Sequence, residues 1–225
     1  MNKVYPSADA AVADVPDGAT IMVGGFGSAG VPETLVRALA ARPVRGLVLV
    51  SNGTGEGESG LVHLIRNRQV RKVLVSFPAP GRSPDFEAQY TAGEIELELV
   101  PQGTLAERIR AGGAGVAAFY TPTGVGTPLA EGKEQREFGG RMHLLEHGLR
   151  ADFALIRAER ADPWGNLVYR KTGRNFNPMM ATAARVTIAE VEAIVPVGSL
   201  DPEAVVTPSI FVHRVVLAPR QREGG

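Results

Sequence analysis

Cysteine is entirely absent from the 225 residues. Its absence excludes disulfides, a thiolate nucleophile and any Cys-based metal site, and it fits a reducing compartment. An excess of charge of one sign is missing too, because 24 Lys and Arg offset 24 Asp and Glu. No bulk basic field therefore draws in nucleic acid or anionic lipid. No apolar run approaches the roughly 20 residues that a membrane helix needs. The opening stretch MNKVYPSADAAVADVPDG has three aspartates and no long apolar core, unlike a secretory signal. These absences lead us to expect a cytoplasmic protein with no nucleic-acid partner, no membrane partner and no metal.

The composition is that of a globular protein, with 44% hydrophobic and 21% charged residues. The length is enough for a sizeable core, and no linker divides residues 1–225 into separate domains. Glycine is the informative excess, at 27 residues. The glycines cluster at Gly24–Gly30, Gly53–Gly60, Gly112–Gly115 and Gly124–Gly126, between apolar runs. There a chain turns sharply or lets something approach its backbone closely.

Ser7 is placed to cap a short helix over Ala8–Asp14. Ala19–Val23 reads as a buried strand ending in the first glycine cluster, and Pro32 opens a helix at a tolerated first-turn position. Leu47–Val50 and Val70–Ser76 are further strands, with Ser59 as cap of an intervening helix. A helix over Asp85–Thr91 and an alternating strand over Glu94–Val100 follow. Thr104 and Glu107 have capping-box spacing ahead of another helix. Beyond Thr121 short strands dominate: Met142–Leu145, Phe153–Arg157, Leu167–Tyr169, Val186–Val191 and Ile210–Leu217. The tail APRQREGG is expected to fray. Strands alternating with helices predict an α/β fold, a mainly parallel sheet flanked by helices, with a more strand-rich C-terminal part.

Gly25-Phe26-Gly27-Ser28-Ala29-Gly30 satisfies the dinucleotide-binding pattern and sits between a strand and a helix. The second strand, however, runs into Ser51-Asn52-Gly53 and has no acid to hold a ribose. The pattern fits better a glycine-lined loop at a helix N-terminus, where a ligand touches bare backbone and amide dipoles favour negative charge.

Three longer runs carry a resemblance. Asp17-Gly18 followed by an apolar strand, Gly24-Gly25-Phe26 and Gly30-Val31-Pro32 is similar to the N-terminal signature of family I CoA-transferase A (alpha) subunits. The runs from Pro101 to Gly113 and from Arg170 to Pro178 agree, and the likeness extends from about Lys3 to Leu217. It implies the CoA-transferase/NagB-like fold. It also implies exchange of CoA between an acyl-CoA and a free carboxylate through a mixed anhydride and a glutamyl-CoA thioester, with coenzyme A as substrate and no other cofactor. In that family the attacking glutamate lies in a Ser-Glu-Asn-Gly motif on the B (beta) subunit. No Ser-Glu-Asn occurs in this sequence. The resemblance therefore implies a chain inactive alone, working in a heterotetramer with a B subunit.

Within the resemblance, Gln102 is the principal site residue. Placed at the end of a strand, its amide can donate to a carboxylate or thioester oxygen without adding charge. Gly24, Gly25, Phe26 and Gly27 are expected to line the acyl or CoA channel. Asn52 is the third candidate, with Gly53 standing where many relatives carry a second amide. The segments 70–78, 151–156 and 162–167 look closer to 3-oxoadipate CoA-transferase A subunits, which implies succinyl-CoA and 3-oxoadipate as substrates. Acetoacetate is the alternative 3-oxoacid, and a stand-alone nucleotide- or phosphosugar-binding protein is the alternative outside the family.

Two other groupings stand out. His143-Leu-Leu-Glu146-His147 has the spacing of a zinc hydrolase motif if helical, but it reads equally well as a strand. A strand would put the two histidines about 13 Å apart, too far for one metal. Arg170, Lys171 and Arg174 form a basic group suited to a CoA phosphate, to a partner carboxylate or simply to solvent. Trp164-Gly165-Asn166 marks a turn.

Overall fold

Adjacent residues of the first strand, β1 (Thr20–Val23), serve opposite layers: Ile21 packs with Leu35, Leu39 and Ile65, whereas Met22 packs with Leu105, Ile109 and Met180. Strand side chains alternate between faces, so a run that is apolar throughout needs helices on both sides of its sheet. The next strand behaves alike, Leu47 and Leu49 joining one layer and Val48 and Val50 the other.

This computed structural model describes residues 2–55, 57–78 and 81–218. Along them run α1 (Ala8–Val12), β1, α2 (Glu33–Ala40), β2 (Leu47–Gly53), α3 (Val62–Arg66), β3 (Val70–Phe77), α4 (Pro84–Thr91), β4 (Glu96–Leu99) and α5 (Gln102–Ala114). There follow β5 (Ala118–Thr121), β6 (Gln135–Phe138), β7 (Arg141–His147), β8 (Ala151–Ala161), β9 (Leu167–Val168), α6 (Asn177–Thr182), β10 (Ala184–Ile194) and β11 (Arg214–Leu217). The main sheet has the order β11-β10-β8-β1-β2-β3-β4, parallel throughout, with β9 antiparallel against the end of β8. A separate antiparallel sheet has the order β5-β7-β6. From β1 the chain winds outward through β2, β3 and β4, then returns to lay β8 on the other flank of β1. Strand order therefore reverses between β1 and β8, and in open α/β sheets ligands bind outside the carboxyl ends near such a reversal.

Several expectations are corrected. Ser59 caps no helix: α3 begins after Leu61, and the Ser59 hydroxyl instead donates to the Glu33 carboxylate. The capping box is not used, because α5 starts at Gln102, three residues before the expected first helical residue Leu105. The Leu105 N–H bonds the Pro101 carbonyl at 2.8 Å, Thr104 lies inside the helix, and Glu107 pairs with Arg110 at 2.7 Å. Gln102 accordingly opens a helix rather than ending a strand. Neither β6 nor α6 was expected. β6 is exposed along its whole length and lacks an alternating pattern, while α6 is only about a turn and a half long with Pro178 in its first turn. The fraying expected of the tail falls mainly on residues 219–225, outside the described residues. Among the described residues no helix is long and apolar enough to cross a membrane.

A buried carboxylate holds the first turn of α2. Glu190 of β10 accepts the Leu35 N–H at 3.0 Å through Oε2 and pairs with Arg157 Nη1 at 2.8 Å through Oε1. Orphan N–H groups at a helix start take such a partner readily. Burial dominates its titration and pushes the carboxyl up from 4.5 to about 7, against the bond to Leu35 and the charge of Arg157. The folded pKa exceeds the unfolded one. The stabilisation from protonating Glu190 is thus complete below about 4.5 and is lost as pH rises through about 7. Thermal unfolding followed across that window should show a falling melting temperature with a shallower slope in Glu190→Gln. Parallel slopes in the two proteins would rule this coupling out.

Candidate functional site

At the carboxyl edge of the sheet, loops following β1, β2 and β3 enclose a cleft of about 80 Å³. Its walls include Gly24, Gly25 and Gly27 on one side and Ser51, Asn52 and Phe77 on the other. Each arrives there because its strand ends there. β2 carries Ser51 and Asn52 as its last buried residues, and the Ser51 hydroxyl donates to the Val23 carbonyl at 2.9 Å, tying the ends of β1 and β2 together.

Asn52 and Gln102 are brought together across 50 residues. Gln102 Nε2 donates to Asn52 Oδ1 at 2.6 Å, and the Ser76 hydroxyl reaches the same oxygen at 3.0 Å. With Oδ1 fixed on both sides, the Asn52 side chain has one orientation, and its Nδ2 donors remain for a ligand. Gln102 commits one N–H to Asn52 and keeps a second, together with its carbonyl. The pair is neutral. A neutral donor pair suits an oxygen that is uncharged in the substrate and becomes charged in reaction.

Gly25, Gly27 and Gly30 have φ of +116°, +56° and +69°, which fits the glycine pattern. The loop does not, however, offer an amide cradle. The Gly24 N–H bonds the Leu155 carbonyl at 3.0 Å and the Gly25 N–H bonds Asn175 Oδ1 at 3.1 Å. Phe26 and Ala29 exchange backbone bonds at 3.0 and 3.1 Å, and Glu190 occupies the start of α2. The amides of Gly24, Gly25, Phe26 and Ala29, and that of Leu35 in the first turn of α2, are already engaged, which argues against a continuous pyrophosphate cradle here. What the loop supplies is close backbone approach. Phe26 does not line the cleft; its side chain projects from the tip of this turn, 51% exposed.

Asn175 and Asn177 fasten the loop from behind. Asn175 Nδ2 donates to the Ala29 carbonyl at 3.0 Å. Asn177, fully buried, donates to the Gly30 and Gly173 carbonyls at 3.0 and 2.9 Å and accepts the Arg157 N–H at 3.0 Å. Sequence reasoning placed both asparagines in a motif without a task. The neighbouring Arg170 and Lys171 border a second cavity of about 260 Å³ on the far side of the glycine loop, together with Arg157, Glu159 and Glu192. That lining is of mixed sign.

The His143–His147 segment is strand β7, so the zinc spacing loses its helical premise. His143 packs edge-on against Phe138 at 5.3 Å, and Glu146 pairs with Lys133 at 2.5 Å. Among the described residues no group of three or more His, Cys, Asp or Glu is placed to hold a metal.

Comparison with known proteins matches residues 5–218 to the coenzyme A transferase family. The A subunit of a 3-oxoadipate CoA-transferase from Pseudomonas putida is 56% identical over 216 residues, 96% of this chain and 94% of that protein. The A subunit of a succinyl-CoA:3-ketoacid coenzyme A transferase from Xanthomonas campestris pv. campestris (strain B100) is likewise 56% identical over 216 residues, 96% of this chain and 88% of that protein. The crystal structure of an acyl-CoA transferase from Escherichia coli O157:H7, in its apoenzyme form, superposes with a TM-score of 0.86 at 25% identity. That likeness covers 99% of this chain but only 48% of the solved one, so the chain spans about half the length of that relative.

Proposed function

Because this chain belongs to the coenzyme A transferase family, we propose that it is the A subunit of an enzyme moving CoA from succinyl-CoA to a 3-oxoacid, with 3-oxoadipate as acceptor. The observation that carries this reading is the braced Asn52–Gln102 amide pair beside a cleft at the open carboxyl edge, in a chain with no Ser-Glu-Asn sequence. The site can polarise an acyl oxygen but lacks the expected carboxylate to be acylated.

A B subunit supplies that glutamate and closes the edge, where Phe77 and Phe26 stand 52% and 51% exposed. Large apolar side chains beside an unfinished site suit burial by a second chain. A solved acyl-CoA transferase about twice the length of this chain has room for such a second half within one chain. In the reaction the partner's carboxylate attacks the thioester carbonyl. Its oxygen gains charge against the Asn52 Nδ2 donors, and CoA leaves as thiolate. CoA then attacks the resulting anhydride, releases succinate and leaves CoA on the glutamate; a 3-oxoacid carboxylate reverses the sequence. Coenzyme A is a substrate, no further cofactor or metal takes part, and the assembly is a cytoplasmic heterotetramer.

Acetoacetate is the second reading, favoured by the equal identity of the 3-ketoacid relative. Co-expression with the candidate B subunit tests both. A stable complex should form and turn over succinyl-CoA with 3-oxoadipate faster than with acetoacetate, while the isolated chain stays silent. Turnover by the isolated chain, or a glutamyl thioester trapped on one of its peptides, would defeat the proposal.

A further inference from the structure

Glu33 opens α2 and is 9% exposed, yet its carboxylate finds its hydrogen bonds outside its own helix. Oε1 accepts the Gly60 N–H at 2.6 Å and the Ser59 hydroxyl, both on the loop between β2 and α3. Ser59 and Gly60 form part of the cleft wall facing the glycine loop. Oε2 is buried without a hydrogen-bond partner, and His63 Nε2, equally unpartnered, stands 3.9 Å away. Arg37 Nε lies at 3.9 Å as well, outside hydrogen-bond reach. All of the loop anchoring by Glu33 therefore runs through one oxygen. Among the described residues, Glu58 of this loop is tied only at the surface: Arg37 Nη2 reaches its carbonyl at 3.4 Å, and Arg66 its carboxylate at 2.7 Å. Such exposed contacts hold weakly, whereas a charge-assisted bond to a buried amide holds well.

We propose that Glu33 is a positioning residue for the transfer reaction: through Oε1 it clamps residues 57–61 as the outer wall of the acyl cleft, and it takes no part in the chemistry as base or nucleophile. Glu33 lies three residues beyond Gly30 of the glycine loop, so one side chain sets the spacing between the cleft's two walls. The inference rests on the cleft being the acyl site.

The chemistry of Oε1 makes the test sharp. A glutamine offers a carbonyl oxygen to the same two donors, and its amide can donate to the orphaned His63 Nε2. In the two-subunit complex, Glu33→Gln should keep kcat and KM within about threefold of wild type. Glu33→Ala should raise KM for both acyl-CoA and 3-oxoacid about tenfold or more with kcat changed less than threefold, and Ser59→Ala should do the same more weakly. Hydrogen exchange of a peptide covering 57–62 should quicken about tenfold in Glu33→Ala and not in Glu33→Gln. Exchange does not depend on the acyl-site reading, so it separates the two ideas: an inactive wild-type complex with this exchange pattern sinks the reading and keeps the clamp. Unchanged exchange in Glu33→Ala overturns the clamp. A Glu33→Gln as impaired in turnover as Glu33→Ala, with its exchange still at the wild-type rate, shows that the charge acts in the reaction itself and overturns the positioning role. Should Glu33→Ala fail to fold, Ser59→Ala with Glu33→Gln decides by the same two readouts.

Discussion

Asn52→Ala in the assembled enzyme is expected to lower kcat about 10²–10³-fold, the usual cost of losing one preorganised donor at a developing oxyanion, with a small loss of stability. The geometry sets this magnitude. Gln102 Nε2 and the Ser76 hydroxyl both hold Asn52 Oδ1, so the Nδ2 donors are aimed before substrate arrives and need no reorganisation. Alanine removes them and leaves water to solvate the oxygen, which must reorient as charge appears. The structural cost is modest by comparison. Ser76 keeps its 2.9 Å bond to the backbone carbonyl of residue 52, and the lost side-chain bonds are worth about 1 kcal/mol each. Asn52→Asp should be at least as damaging, because it puts a second negative charge beside the oxyanion. Gln102→Ala should cost less, about tenfold, since it removes a brace and one exposed donor while Ser76 still orients Asn52. Stopped-flow turnover alongside thermal unfolding reads both quantities. A loss of turnover no larger than the loss of stability predicts would make Asn52 a packing residue.

The pairing behind that expectation shows what a sequence discloses and what it withholds. Gln102 and Asn52 were each singled out through the family resemblance, and the alternation of helices and strands announced the parallel sheet. Their bond was not legible, because it joins residues 50 apart and exists only once β2, β3 and the start of α5 are in place. Helix starts failed for a related reason. Ser59 and Thr104 have good capping chemistry, but tertiary contacts override local ones: Ser59 finds Glu33, and α5 begins where Pro101 leaves β4. In the sequence nothing distinguishes Glu33 from any other acid in the first turn of a helix. The glycine motif misled about its amides for the same reason, since the groups that occupy them come from Asn175 and Glu190, some 150 residues away.

Gly24→Ala should abolish the folded protein or lower its melting temperature by about 10 °C or more, the largest stability effect of any single methyl in this loop. An added Cβ would lie 1.9 Å from Asn177 Oδ1 and 2.7 Å from its Cγ. Neither can yield cheaply, because Asn177 is fully buried and holds the Gly30 carbonyl, the Gly173 carbonyl and the Arg157 N–H. Moving it strands three backbone groups, each costing about 1–3 kcal/mol when buried without a partner. Overpacking adds about 1–3 kcal/mol. A sum of roughly 4 kcal/mol or more is a large share of the 5–15 kcal/mol that holds a typical domain together, and about 2–4 °C per kcal/mol gives the stated shift. Gly27→Ala is the control: nothing lies within 4 Å of its Cβ, so only the left-handed backbone at φ +56° opposes it, at about 1 kcal/mol. The mechanism is confirmed or refuted by a double-mutant cycle. If the collision with Asn177 is the whole cause, Asn177→Ala removes what Gly24→Ala strikes, and the double variant should melt no lower than Asn177→Ala alone. Additive losses would mean that the glycine is needed for some reason other than its contact with that asparagine.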